Sequence, residues 1–299
     1  MSKKIWGIIV VIVIVISSFA AFWYTQKKEE KGKVIMKVKV GDLVEVNYTG
    51  KFANGTVFDT NIESVANDEN ISKSYSFKPK SFYSTLKFTV GSDQMIKGFD
   101  EGVLNMSVGK TKNITVLPEE GYGEPHEDLF INISKNQSVP LYETMSRQEF
   151  SSLYPNEPFE ENISFKHYFW KWNATTEWID GDNITIRNMP DNGSTITVFG
   201  WNSTITEINS SYHGGEGRIL IQHNPAGNIT VNREKTEFLM IDNEALNYVI
   251  SQINIGNSSV SDIGIVSWVD TDTFIIDYNP EVVGKTLIFE VTIISISRG

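Results

Sequence analysis

Hydrophobic and polar positions divide the 299-residue chain into stretches of different texture. Residues Ile5 to Tyr24 read IWGIIVVIVIVISSFAAFWY, with no charge among them. Twenty helical residues rise about 30 Å, the thickness of a bilayer's hydrocarbon core. Lys3 and Lys4 precede the run, and Trp6, Trp23 and Tyr24 sit near its ends, where interfacial aromatics belong. The run predicts a transmembrane helix within residues 1–24, retained as an anchor. The competing reading is a cleaved signal peptide with Ser18-Phe19-Ala20 as its small-residue site. A charged linker over 25–35 follows. From there the period changes: Val34 to Val40 alternates, Gly41-Asp42 turns, Leu43 to Tyr48 alternates again, and Asn54-Gly55 is a hairpin signal. A single helical segment is read from Ile96 to Leu104; Gly98 and Gly102, four apart, cost helix stability and imply close approach of a sheet.

Further along, the pattern repeats. Trp172-Asn-Ala-Thr leads to Ile184-Thr-Ile-Arg-Asn-Met-Pro190, Trp201-Asn-Ser-Thr to Ile219-Leu-Ile-Gln-His-Asn-Pro225, and Trp268-Val-Asp to Phe274-Ile-Ile-Asp-Tyr-Asn-Pro280. Each reads as strand, turn, strand and proline stop, with Pro190 and Pro225 capping strands. Two helices interrupt the β pattern: Ser146 to Tyr154, opened by a capping-box S-x-x-E, and Asp242 to Ile253, with apolar residues at 245, 246, 249, 250 and 253. The cluster Tyr168-Phe-Trp-Lys-Trp172 is either core or a binding surface.

Composition narrows the chemistry. A net charge of −11 repels phosphate and argues against nucleic acid as a partner. The absence of cysteine removes disulfides, thiolate nucleophiles and Cys-ligated metals together. The four histidines, His126, His167, His213 and His223, show no metal-ligand spacing and read as ordinary surface or loop residues. Fifteen N-x-S/T sequons, from Asn47 to Asn257, stand against about four expected by chance. That excess favours an extracytoplasmic body carrying glycans. Against it stands the suitability of Asn, Ser and Thr for turns and solvated strands.

Five motifs occur in order: G-D-x-V-x-V-x-Y-x-G from Gly41, N-G-x-V-F-D-T from Asn54, Phe88-Thr-Val-Gly91 with Met95-Ile-Lys-Gly98-Phe99-Asp-Glu-Gly102, Met106-Ser-Val-Gly109-Lys, and Pro118-Glu-Glu-Gly-Tyr122-Gly123. Gly284-Lys-Thr-Leu-Ile-Phe289-Glu-Val-Thr-Ile closes the set as a last strand. In this order and spacing they resemble the FKBP family of peptidyl-prolyl cis/trans isomerases. The resemblance implies an α+β fold, a half-wrapped antiparallel β-sheet around a short helix, over 36–129 and 275–299. A mostly β domain with one or two helices, 130–274, is inserted between these parts. An insert at this point resembles the insert-in-flap domain of SlyD-like members, which binds unfolded chains; with the anchor and the sequon density, the chain resembles long archaeal members.

The resemblance further implies that Tyr48, Asp59 and Tyr122 act on the substrate. Phe58, Leu86, Met95, Ile96, Phe99, Val282 and Phe289 would wall the pocket, with Phe99 as its floor where many members carry tryptophan. Tyr122 would donate its hydroxyl to the substrate carbonyl, and Asp59 would lie at the pocket edge near Tyr48. Without the motifs, each of these aromatics reads as plain core. The stretch from Ile62 to Lys87 is longer than in minimal members and is expected to loop over the pocket rim. The partners implied are proline-containing unfolded proteins, with the chain a monomer, no cofactor and no metal. The alternative is a non-catalytic surface binding or assembly protein that keeps the fold.

Overall fold

The computed structural model describes residues 36–232 and 258–298, together with Phe19, Lys235, Phe238, Leu239 and 249–252. The expected transmembrane run and the 25–35 linker lie outside the described residues, Phe19 excepted. Among the described residues no helix is long and apolar enough to cross a membrane. The chain divides into two compact units: residues 1–72, 79–116 and 287–299 form the first, and 73–78 with 117–286 the second.

The first unit is a five-stranded antiparallel sheet. β1 (Leu43–Phe52) lies between β17 (Leu287–Ser297) on one side and, on the other, β2 (Val57–Thr60) and β3 (Leu86–Thr89), which share its edge. β4 (Thr111–Val116) pairs the far side of β17. The alternation of β1 sends Val44, Val46 and Tyr48 inward, and that of β17 sends Leu287, Phe289, Val291 and Ile293 inward. The helix α2 (Lys97–Gly102) buries Phe99 against this face, with Val103 following it. A Cβ at Gly102 would stand 2.3 Å from Ile114 Cγ2, so helix and sheet meet there at a distance that only glycine permits. A four-residue helix, α1 (Glu63–Ala66), opens the long connection between β2 and β3.

Over 36–40, the described part of the strand expected at 34–40, no strand is formed. Among the described residues of that stretch only Lys37 makes a bridge, to Ser107. The backbone of Val38 is taken by Met106 and Asn105 (2.9 and 3.0 Å), and Lys39 N donates to Asp42 Oδ2 at 2.9 Å. Loop partners consume the groups a ladder needs, although buried Val38 reproduces the apolar rhythm of a strand.

The second unit contains three four-stranded antiparallel sheets built to one plan. β8 (Ser164–Lys166), β9 (Asn173–Asp180) and β10 (Asn183–Met189) form the first; β11 (Thr195–Ile196), β12 (Asn202–Asn209) and β13 (Arg218–Asn224) the second; β14 (Thr230–Asn232), β15 (Ile263–Val269) and β16 (Thr273–Asp277) the third. Each gains a fourth strand from the opening stretch of the unit, in reverse order. β7 (Tyr142–Ser146) joins the first sheet, β6 (Asn136–Pro140) the second and β5 (Phe130–Ser134) the third. Each central hairpin carries a one-residue bulge, at Glu177, Thr206 and Ser267. Counted from the bulge, Trp268 corresponds to Trp178 and not to Trp172 and Trp201. Both Trp178 and Trp268 are exposed, while Trp172 and Trp201 are buried just ahead of their long strands.

Trp172 Nε1 donates to Asn188 Oδ1 at 2.8 Å, and Trp201 Nε1 to His223 Nδ1 at 3.4 Å. Asn188 and His223 hold the same place, two residues before Pro190 and Pro225, so the repeat is a tryptophan tied to the end of its own hairpin. A short helix, α3 (Arg147–Leu153), covers the first sheet with Phe150, and Ser146 Oγ caps it by accepting from Glu149 N at 3.2 Å. Residues 249–252 are helical. The remainder of the helix expected over 242–253 lies outside the described residues.

Two histidines depart from the surface expectation. His167 and His223 are buried at 1% and 0% exposure. His167 Nδ1 accepts from Phe169 N and Trp170 N, both at 3.1 Å, and holds a tight turn. His223 lies 2.8 Å from both Ser203 Oγ and Gln137 Oε1. These partners satisfy a neutral ring, and burial holds the imidazole down at about 4. As pH falls through the usual 6.5, the unfolded chain takes up a proton that the folded one refuses. Stability is therefore complete above pH 6.5 and is lost toward pH 4, by about 3 kcal/mol at most. Every described tryptophan lies in this unit, so urea unfolding followed by tryptophan emission reads it directly. The denaturation midpoint should drop between pH 6.5 and pH 4, and His223→Gln should flatten that dependence.

Candidate functional site

In the first unit, elements remote in sequence bring five aromatic rings together. Phe99 meets Phe289 edge-on at 5.1 Å between centroids, Tyr48 at 6.1 Å and Phe88 at 5.8 Å. Phe289 in turn meets Phe58 edge-on at 5.6 Å and Tyr48 at 6.4 Å. Edge-to-face geometry sets the positive ring edge against the negative face. Space for it comes from Gly50, which pairs with Phe289 across the β1–β17 ladder and with Asp59 across β1–β2. A Cβ there would lie 2.6 Å from the Phe58 ring and 3.1 Å from that of Phe289. Leu86 pairs with Val46 at the edge of β1. Met95 and Ile96, both half-buried, lead into α2, and the Ile96 carbonyl accepts from Phe99 N and Asp100 N at 3.0 and 3.1 Å.

A polar edge adjoins these rings. Tyr48 Oη donates to Asp59 Oδ2. Lys80 Nζ lies 2.7 Å from Asp59 Oδ1 and donates to Tyr48 Oη (3.1 Å) and to the Thr60 carbonyl (2.9 Å). The same ammonium stands 5.3 Å from the centroid of the Tyr48 ring. Asn61 fixes the backbone beneath: its Oδ1 accepts from Tyr48 N at 2.7 Å, and its Nδ2 donates to the carbonyls of Val46 and Ser84 at 2.9 and 3.0 Å. Of the loop expected over Ile62 to Lys87, residues 79–85 supply Lys80 and Ser84 to this edge, while 73–78 belong to the second unit.

Tyr122 and Val282 also belong to the second unit. Tyr122 is 49% exposed and follows the 3₁₀ turn Pro118–Glu120. Val282 is half-buried in the turn that Val283 N closes on the Pro280 carbonyl. Gly284 N donates to the Gly123 carbonyl at 2.8 Å, so the segments carrying these two residues run side by side.

Sequence reasoning missed Gly50 as a spacer, Asn61 and Lys80. Gly50 stood inside a quoted motif, and Asn61 follows the V-F-D-T motif, where a polar residue at a strand end is a visible signal. No local signal marks Lys80, whose role exists only once its loop is closed.

Residues 35–144 match the FKBP-type peptidyl-prolyl cis-trans isomerase family. A short-type peptidyl-prolyl cis-trans isomerase of Methanocaldococcus jannaschii is 39% identical over 102 residues, which is 34% of this chain and 61% of that protein. FK506-binding protein 2 of Yarrowia lipolytica is 32% identical over 33% of this chain and 56% of its own length. FK506-binding protein 1 of Dictyostelium discoideum is 36% identical over 32% of this chain and 70% of its own. The chain belongs to the FKBP-type peptidyl-prolyl cis-trans isomerase family. It spans about three fifths of the first two relatives' length.

Removing the two unforeseen polar residues should have unequal effects. Asn61→Ala leaves a buried amide and carbonyls without partners and should cost about 2–3 kcal/mol of stability in the first unit. Lys80→Ala breaks a pair that is more than a third exposed and should cost less than about 1 kcal/mol. Hydrogen exchange at the Tyr48 amide, compared between the variants, reads the difference.

Proposed function

We propose that the chain is a peptidyl-prolyl cis-trans isomerase acting on proline-containing client proteins. The observation that carries this reading is the aromatic cluster of Tyr48, Phe58, Phe99 and Phe289 bordered by Asp59. Rotation about an X-Pro bond passes a barrier of about 18–20 kcal/mol without covalent chemistry. A planar amide is polar and well solvated; a twisted one has lost resonance and is less polar. Apolar walls therefore favour the twisted form, and each ~1.36 kcal/mol of such preference is a factor of ten in rate. On this reading Phe99 lies under the prolyl ring, with Leu86, Met95 and Ile96 completing the walls of the first unit. Asp59, held by Tyr48 and Lys80, presents fixed polarity beside the twisting bond. The second unit holds unfolded clients and raises their concentration at the isomerising site.

The body acts outside the membrane, tethered by the apolar run 5–24. Twelve of the fourteen sequon asparagines among the described residues are exposed, which supports this placement; Asn47 and Asn209 are half-buried. In the strands the middle residue of the sequon turns inward, as Ile114, Ile133, Ala174 and Ile184 do, and alternation alone puts the asparagine outside. Protease protection in sealed vesicles and a mass decrease on enzymatic removal of N-glycans should accompany one another if the body is exported. A protease-accessible, glycan-free body would withdraw the placement.

Cis-to-trans conversion of a short X-Pro peptide by the full-length chain tests the activity. Acceleration is expected, with Phe99→Ala and Asp59→Ala each reducing it about tenfold or more. No acceleration would leave a non-catalytic binding or assembly protein as the better reading.

A further inference from the structure

An open cleft of about 980 Å³ lies wholly within the second unit. It stands at the upper end of ligand-pocket volumes, roughly 300–1,000 Å³. Its floor is aromatic: Trp170 and Trp172 are buried and stack at 5.0 Å, and Phe169 stacks on Phe238 at 3.6 Å. Its rim is cationic. Among the described residues Lys166, Lys171 and Lys235 line it, Asp191 is the single acid that does so, and none of the three lysines has an ion-pair partner, although Lys171 Nζ donates to the Tyr168 carbonyl. Lys171 occupies the left-handed region at φ 64, at the end of the turn that His167 secures. Strain of this kind collects at binding sites. Two sheet edges border the cleft: Lys166 ends β8 and Thr195 with Ile196 form β11, each the outermost strand of its sheet.

Three lysines without an ion-pair partner among the described residues, in a chain of net charge −11, select for negative charge, the aromatic floor selects for apolar surface, and strand edges accept extended backbone. We infer that this cleft binds extended peptide segments combining acidic with apolar side chains. The inference rests on the second unit being the part that holds clients. It gives that unit a charge preference: acidic, apolar-bearing segments are retained and basic ones are turned away.

Ten-residue peptides in which Leu and Ser alternate with Glu, Gln or Lys, all lacking tryptophan, test it by titration into the full-length chain with tryptophan emission as readout. The Glu peptide should bind about tenfold more tightly than the Gln peptide, and the Lys peptide should not bind. Added salt should remove the Glu advantage. Lys166→Glu and Lys171→Glu should each weaken the Glu peptide about tenfold, leaving the Gln peptide and the isomerisation of a short X-Pro substrate unchanged. Equal affinity for the three peptides, or indifference to the lysine reversals, overturns the proposal. Lysine-dependent binding of the Glu peptide by a chain that does not accelerate X-Pro isomerisation would uphold this cleft while removing the isomerase reading. Isomerisation without charge-selective binding would do the reverse.

Discussion

The pairing of β1 with β17 is the constraint on which the first unit depends. Leu43 to Phe52 run against Ser297 to Leu287, and β4 flanks β17 so that Val116 stands opposite Leu287. Those two residues are separated by the whole of the chain from 117 to 286. A flexible loop of that length would cost closure entropy and leave the last strand to search for its place. The second unit removes the problem by fastening its own ends. Gly284 N meets the Gly123 carbonyl, His126 N donates to Asn279 Oδ1, and Tyr278 N donates to the Leu129 carbonyl, with distances of 2.8 to 2.9 Å. A folded insert with paired ends acts on its host as a short connection, which is how so large an addition remains compatible with a small sheet.

The same ladder builds the aromatic cluster. Phe289 arrives beside Gly50 only because β17 is in register, and Gly50 leaves room for the rings of Phe58 and Phe289. Asn61 then ties Tyr48 from below while Lys80 grips Asp59 and Tyr48 from the edge. Rings positioned by backbone pairing and a carboxylate held on both oxygens have little freedom left to lose. On the proposed isomerase reading, that preorganisation suits a reaction whose only requirement is a less polar, fixed surround for a twisting bond.

The second unit shows how a repeat tolerates buried polarity. Each of its first two hairpins closes on a tryptophan whose indole N–H reaches a buried polar side chain, Asn188 in one and His223 in the other. Asn188 also reaches Glu143 and the Pro140 carbonyl, and His223 reaches Ser203 and Gln137. Complete partnering is what permits these groups inside an apolar core. Burial makes one of them, His223, sensitive to acid.

Local pattern by itself determined much of this protein. Alternation located β1, the Asn54-Gly55 turn and the paired strands of the repeats; S-x-x-E located the start of α3; Gly102 announced a close helix–sheet contact; and the ordered motifs named the family together with Tyr48, Phe58, Asp59, Phe99 and Phe289. Tertiary structure decided the rest. Alternation at 36–40 promised a strand, but loop groups took its hydrogen bonds. The tryptophans of the repeat aligned by residue type, whereas the bulges set their true correspondence. Two histidines that looked superficial found complete sets of partners in the interior. Lys80 joined Asp59 through a loop of no fixed period, and three lysines with nothing in common along the chain met around one cleft. Periodicity records which face a residue turns inward; which distant residue waits there depends on the closure of the chain.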